Sequence, residues 1–424
     1  MDSTTIRPQV VPRYAKPREM PRSPALVCCL LAALAALAAS QADPEAVIPP
    51  WAEFKLTRQG AEGTVKIGCI LPFSGDNAAK GNAARNGIIM AINAIAAEDK
   101  FGLPKLSFEL SCKDTVCNAN NSAAAAAELK KAGVVAVIGD VCSSASLAAK
   151  DALAPILLMS PSSTSDKLTI AGDNFLRTVA PDRFQSRILA VLVRGNTTTI
   201  KKAIPVVLVY EANSYGQGLA DGFAVAYKNL TGRIRFNRTV TPTNAKSIAT
   251  ELANSTATRV VIATNNNTWV AEFLAAGAAI PTFRPAIFAG DAQLNPDLPS
   301  LVAGLGGSPA LLSKLQATAY NQGTGAFRAK YKAFTNDSYT GHAAHAFDAL
   351  NALMIGYAMD SEFVLPKAIS LQSAIKANIK AGVSGNIKFD ATGDLIPDNT
   401  AYQSIRYVGG KVVLGPFLPL PPAK

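Results

Sequence analysis

Histidine is almost missing from this chain, with two residues in 424. Both, His342 and His345, stand in one HAAH segment with no acidic or cysteine partner at ligand spacing, so no metal centre is expected. A GxSxG elbow, a P-loop and an HExxH pair are missing as well. The first strand candidate runs into Pro72-Phe73-Ser74-Gly75 instead of a glycine triplet, which excludes the dinucleotide fingerprint. Charge is sparse at 17% of residues. The net balance is +11, but no block of five or six like charges occurs, so a nucleic-acid stripe is excluded. Long apolar runs are scarce too. The segment Ala346–Met359 is interrupted by Asp348 and Asn351, and no part of the mature chain is expected to span a membrane. These absences point away from catalysis: no catalytic residue, no metal and no cofactor are expected.

What is present is apolar bulk, with 49% hydrophobic residues, in a length that suits two or three compact units. The N-terminus reads as an address. Basic, proline-rich residues precede the 14-residue apolar run Leu26–Ala39, and small residues follow at Ser40 and Ala42. Residues 1–42 are therefore expected to be a signal or targeting peptide, and 43–63 a linker. The chain is expected in an exported compartment: periplasm, extracellular space or secretory lumen. An organelle lumen is the alternative, because the long arginine-containing leader also suits a transit peptide. Outside the leader four cysteines remain, Cys69, Cys112, Cys117 and Cys142, and four thiols allow three pairings. Seven Asn-x-Ser/Thr sequons, at Asn120, Asn196, Asn229, Asn237, Asn254, Asn266 and Asn336, fit a secreted glycoprotein.

From residue 64 short β-branched runs alternate with alanine-rich helical stretches. Strands are expected at Val65–Leu71, Lys105–Ser111, Val134–Ile138 and Ile156–Met159, with helices at Ala83–Ala97, Ser122–Ala132 and Ala145–Ala152 between them. After Pro181 the rhythm restarts, with strands at Ile204–Tyr210, Arg233–Val240, Arg259–Ala263 and Ala286–Ala289 separated by helices. Two such blocks imply an α/β protein of two doubly wound, Rossmann-like lobes. In such sheets the ligand crevice lies beyond the carboxyl ends of the strands. The segments there, among them Asp140–Ser144, Ser160–Ser165, Glu211–Tyr215 and Gly290–Ala292, are rich in hydroxyls, amides and single carboxylates. That lining suits a small zwitterion.

These segments resemble the leucine/isoleucine/valine-binding family of type I periplasmic solute-binding proteins. The resemblance rests on VKIGCILPFSG (65–75), VIGDVCSSAS (137–146), ILLMSPSST (156–164), SYGQGLADGF (214–223), IFAGD (287–291) and GNIKFDATGD (385–394), in the family's order. It implies two lobes joined by a hinge, lobe 1 at 64–181 and 320–382 and lobe 2 at 182–319 and 383–424. It implies an amino-acid-like ligand whose carboxylate meets Ser143, the backbone at Ser162 and Ser163, and Thr164. Asp291 matches the acceptor of the ligand ammonium, and Tyr215 an aromatic packed over the ligand. Lys80 and His342 stand where relatives often carry aromatics against the ligand side chain, so leucine specificity does not follow. The resemblance also implies a Cys117–Cys142 disulfide. Cys69 and Cys112, on strands expected to be neighbours, are taken as buried free thiols, with a second bridge as the alternative. A membrane permease or a receptor subunit is the expected partner, for transport or sensing. A receptor-like ectodomain subunit and, less so, a hydrolase on a similar fold are the rival readings. The family's receptors continue into membrane spans, whereas this sequence runs out in PFLPLPPAK.

Overall fold

The computed structural model describes residues 53–98, 106–195, 204–339, 341–358 and 368–422. The leader and the sequon at Asn196 lie outside the described residues. Two twisted sheets organise the rest. The first contains β1 (Phe54–Leu56), β2 (Gly63–Leu71), β3 (Leu106–Asp114), β4 (Ala136–Gly139), β5 (Leu157–Ser160) and β6 (Phe175–Arg177) in the order β1-β3-β2-β4-β5-β6. All its pairings are parallel except that of β1, which runs antiparallel to β3 at the edge. Strand β2 lies between two partners, and from Ile67 onwards every residue of its apolar run is buried, as a central parallel strand requires. Strand β1 falls within the stretch expected as a linker. Its three residues were too few for an alternating pattern, and pairing with β3 defines them.

The second sheet contains β7 (Pro205–Tyr210), β8 (Arg233–Thr239), β9 (Arg259–Ala263), β10 (Ala286–Ala289) and β11 (Leu315–Tyr320), all parallel. Later in the chain β12 (Ala381–Gly382) and β13 (Gly385–Asn386) form a separate two-stranded ribbon. The hairpin of β14 (Tyr402–Val408) and β15 (Lys411–Phe417) extends the second sheet antiparallel beyond β11.

Helices cover these sheets, as the βαβ alternation requires. Helix α1 (Ala78–Glu98) begins five residues earlier than expected, straight after a 3-10 turn at Gly75–Asn77. Next come α2 (Ala119–Lys131), α3 (Ser143–Leu153) and α4 (Asp182–Arg194), then α5 (Ser214–Asn229), α6 (Ala245–Ala253) and α7 (Asn267–Ala278). Helices α8 (Leu298–Gly304), α9 (Gly325–Thr335), α10 (Ala343–Ala358) and α11 (Ala368–Asn378) follow. Asparagine side chains at Asn118, Asn213 and Asn266 cap α2, α5 and α7 by accepting from first-turn N–H groups. Helix α10 crosses α1 so closely that a Cβ on Gly87 would lie 2.2 Å from the Ala343 carbonyl oxygen. Only glycine permits that approach.

The chain passes between the two sheets three times: after β6, after β11, and again before β14. Residues 383–424, expected together in the second lobe, divide in the structure. Ile387, Phe389, Leu395 and Tyr402 join the apolar core of the first sheet, while Ile405 and Tyr407 join that of the second. Asp394 explains the division, because its carboxylate lies 2.7 Å from both Nε and Nη2 of buried Arg177 on β6.

Candidate functional site

The strand ends of the first sheet form one wall. Strand β4 ends at Gly139, and the buried Asp140 that follows holds the turn into α3. Its Oδ1 accepts from the Cys142 N–H at 3.1 Å, and its carbonyl accepts from the hydroxyls of Ser146, Ser160 and Ser163 at 3.3, 2.7 and 3.1 Å. Ser146 lies in α3, Ser160 ends β5 and Ser163 follows it, so one carbonyl ties the turn after β4 to the start of α3 and to the end of β5. Burial raises the Asp140 carboxyl to about 6, against hydrogen bonds from Thr115, Cys142, Val141 and Ser122 that lower it.

Ser143 is the first residue of α3 rather than a residue ahead of it, and Cys142 occupies the cap. Its hydroxyl accepts from the Ser165 N–H at 3.2 Å, and the helix N-terminus adds a favourable field for an anion. Ser162 donates to the Val141 carbonyl at 3.0 Å and shares contacts of 2.9 and 3.3 Å with Tyr320 Oη and His342 Nε2. Ser163 is bound to Ser146 Oγ at 2.8 Å. The Thr164 hydroxyl is buried beside Asp182, yet neither group makes a hydrogen bond of normal geometry. Burial, and then the neighbouring Asp291, hold the Asp182 carboxyl well above the usual range.

The second wall is acidic and aromatic. Tyr215, in the first turn of α5, donates its hydroxyl to Asp291 Oδ1 at 3.1 Å and accepts from the Ala292 N–H at 3.3 Å. The Tyr215 hydroxyl thus braces Asp291, a role not expected from the sequence. Burial raises the Asp291 carboxyl, while Lys80 is the strongest influence lowering it. Lys80 belongs to the first lobe, yet its Nζ donates to the Ala292 carbonyl at 2.9 Å. Tyr320 Oη lies 2.6 Å from His342 Nδ1. Burial, then Lys80 and His345, push the His342 imidazole well below its ordinary value, so it is neutral.

The two walls meet. Asp76 accepts from the Thr268 N–H and hydroxyl at 3.1 and 3.0 Å, at the start of α7, and on the other side the Ser165 hydroxyl donates to the Ser214 carbonyl at 2.8 Å. Between them lies a cavity of about 210 Å3, lined by Asp76, Ser143 and Ser144 from one wall and by Glu211, Asn213 and Asn265 from the other. Of the residues expected at the site, Ser143 lines this cavity. Lys80, Ser162, Ser163, Thr164, Tyr215, Asp291 and His342 are buried and do not line it. The structure joins Tyr215 with Asp291, sets Lys80 on the adjoining Ala292 carbonyl, and joins Ser162 with His342. Asp76, Asp182 and Tyr320 were not singled out in the sequence. Glu211, which accepts from Thr264 Oγ1 at 2.8 Å, already lay in a strand-end segment.

Both disulfides brace the first wall. Cys117 is bonded to Cys142, beside Ser143. Cys69 is bonded to Cys112, which corrects the expectation of free thiols there. The cause is register: β2 and β3 pair in parallel with Cys69 directly opposite Cys112, at a Cα separation of 4.4 Å. Among the described residues, the group Cys117, Asp140 and Cys142 has the separations of a metal cluster, but its two sulfurs are bonded to each other.

Two parallel-rich sheets with a polar crevice at their strand ends define a two-lobed ligand-binding fold. A periplasmic binding protein family model matches residues 64–393, and the chain belongs to that family. Among curated relatives, the Leu/Ile/Val-binding protein BraC3 of Rhizobium johnstonii is 31% identical over 166 residues, 38% of this chain and 44% of the relative. A leucine-, isoleucine-, valine-, threonine- and alanine-binding protein of Pseudomonas aeruginosa is 28% identical over 163 residues, 38% of this chain and 42% of the relative. The chain therefore spans less than half the length of these two relatives. Among solved structures, the branched-chain amino-acid substrate-binding protein LivJ of Streptococcus pneumoniae, in complex with isoleucine, superposes with a TM-score of 0.72 at 22% identity, over 84% of this chain and 100% of that one. A solute-binding protein from R. palustris in complex with benzoate superposes with a TM-score of 0.67 at 19% identity, over 85% and 98%. At these identities the likeness shows the type I periplasmic-binding-protein fold. Each of these proteins is named for binding, and none for catalysis.

Proposed function

We propose that this protein captures a small amino acid or amino-acid-like carboxylate between its lobes and releases it unchanged. The observation that carries this reading is the opposition of two unlike walls. Ser143 and its neighbouring hydroxyls stand at the N-terminus of α3 on one lobe, and Tyr215 with Asp291 on the other. An anion needs donors on one side, a cation needs a carboxylate on the other, and charge-assisted hydrogen bonds are the strong ones. Ser143, Ser162, Ser163 and Thr164 would receive the carboxylate, with Asp291 and Tyr215 facing the opposite end. Lobes at about 64–181 with 320–382 and 182–319 with the C-terminal strands would close on the solute, because a ligand touching both favours the closed state. The family membership supports a binding role without chemistry.

Delivery to a membrane permease is the partner reading that the transporter-type relatives support. Among the described residues no helix is long and apolar enough to cross a membrane. Residues 1–42 as a leader would bring the protein to an exported compartment. In a secretory route the exposed sequons at Asn120, Asn229, Asn237, Asn254 and Asn336 would be open to glycosylation, whereas Asn266 is only half-exposed and caps α7.

Calorimetric titration against the twenty amino acids and common organic acids tests the reading. At least one should bind, and Ser143→Ala and Asp291→Ala should each weaken it by about 30-fold, the scale of a lost buried charged contact. Binding unchanged in both variants would remove this site from consideration.

A further inference from the structure

Lys80 is 3% exposed, in the first turn of α1, and its ammonium crosses from the first lobe to the Ala292 carbonyl of the second. A lysine at a cleft usually extends its stem until the head reaches water. Here the head is enclosed. Burial lowers its pKa to about 8, while Asp291 and then Asp76 act to keep the proton in place. At neutral pH the cleft therefore holds a cation of the chain's own, beside the carboxylate that would otherwise receive a ligand ammonium.

The other charges around it are committed. Asp76 is hydrogen-bonded to Thr268, the buried Asp182 carboxyl is held well above the usual range, and the His342 imidazole well below its own. A neutral amino acid would bring a second ammonium near Asp291, so that two buried cations share the field of one carboxylate, which is costly. A solute with one more negative charge removes that conflict in either of two ways. A monocarboxylate without an ammonium leaves Lys80 on the Ala292 carbonyl, within the field of Asp291, and places its anion at Ser143. An acidic amino acid gives its ammonium to Asp291 and its side-chain carboxylate to Lys80. The buried Thr164 hydroxyl, without a hydrogen bond of normal geometry, offers a further donor. Resting on the binding role proposed above, we infer that the solute is a net anion, selected against neutral amino acids by Lys80 as its fixed counter-cation.

Two isosteric pairs test this on the full purified chain by calorimetry: 4-methylpentanoate against L-leucine, and L-glutamate against L-glutamine. Within at least one pair the anion should bind about 30-fold more tightly or better, and Lys80→Met should close most of that gap. Which pair responds separates the simple carboxylate from the acidic amino acid. If Lys80→Met fails to fold, Lys80→Arg should preserve the preference, and the wild-type comparison stands by itself. Equal or tighter binding of the neutral member in both pairs overturns the inference while leaving the binding role intact. So does a gap that survives Lys80→Met, or one that Lys80→Arg abolishes in a folded variant. Failure of any of the four, of the twenty amino acids and of common organic acids to bind overturns the inference and the binding role together.

Discussion

The two lobes share a doubly wound plan but are held together differently. All four cysteines of the described residues lie in or beside the first sheet, in two bonds. That lobe also carries the buried Arg177–Asp394 pair, and Arg177 donates to the carbonyls of Ser163 and Ser165 in the loop after β5 at 3.1 and 2.9 Å. The second lobe relies on packing. Its core holds Trp269 stacked on Phe273 and Phe273 edge-on to Phe283, with Phe223 on Tyr227 in a neighbouring cluster. The difference follows from what each wall presents. In the proposed site several hydroxyls would share one anion, and the cross-ties hold the segments that carry them in register. A single carboxylate braced by one tyrosine needs fewer ties.

The largest expected effect tests whether that bracing is energetic. Asp394→Asn leaves the Arg177 guanidinium buried without its counter-charge, and should cost about 3–5 kcal/mol of stability in denaturant titration. A loss under about 1 kcal/mol would contradict the contrast between lobes. Next, Cys117→Ala with Cys142→Ala opens a 25-residue loop and should cost about 3 kcal/mol in the chain-entropy account. It should also weaken solute binding more than its stability loss explains, because the bridge adjoins Ser143; equal affinity would show that the loop is held without it.

The smallest effect concerns pH. Burial raises the Asp140 carboxyl from an ordinary value of 3.8 to about 6, so the folded state binds this proton more tightly than the unfolded one. The cost of burying its charge is fully present above about pH 6, falls as pH drops through 6, and is gone below the unfolded value near 3.8. Wild type should therefore gain about 2 kcal/mol relative to Asp140→Asn between pH 7 and pH 4. A pH-independent difference between the two would show that the carboxylate is not desolvated as the first wall requires.

Much of this was legible beforehand because parallel strands buried on both faces read as short, continuous apolar runs. The runs VKIGCIL and RVVIA needed no tertiary information to be recognised. The strand-end segments were legible for the same reason, and they include Ser143, Ser144, Glu211, Asn213 and Asn265 of the observed cavity. Asp182 and Tyr320 were not, since one opens α4 and the other ends β11, each at a crossover with no local pattern. Strand β1 escaped because three residues show no period, and the Cys69–Cys112 bond because register is a property of two strands together.

By itself the sequence determined the α/β class, the two blocks and the polar character of the crevice, since periodicity and turn chemistry are local. Only the tertiary structure decided who pairs with whom. It placed Asp394 on Arg177, turned the Tyr215 hydroxyl onto Asp291, and carried Lys80 across the cleft to Ala292. Those contacts join residues 217, 76 and 212 positions apart, and partners so distant along the chain are chosen by how the lobes pack.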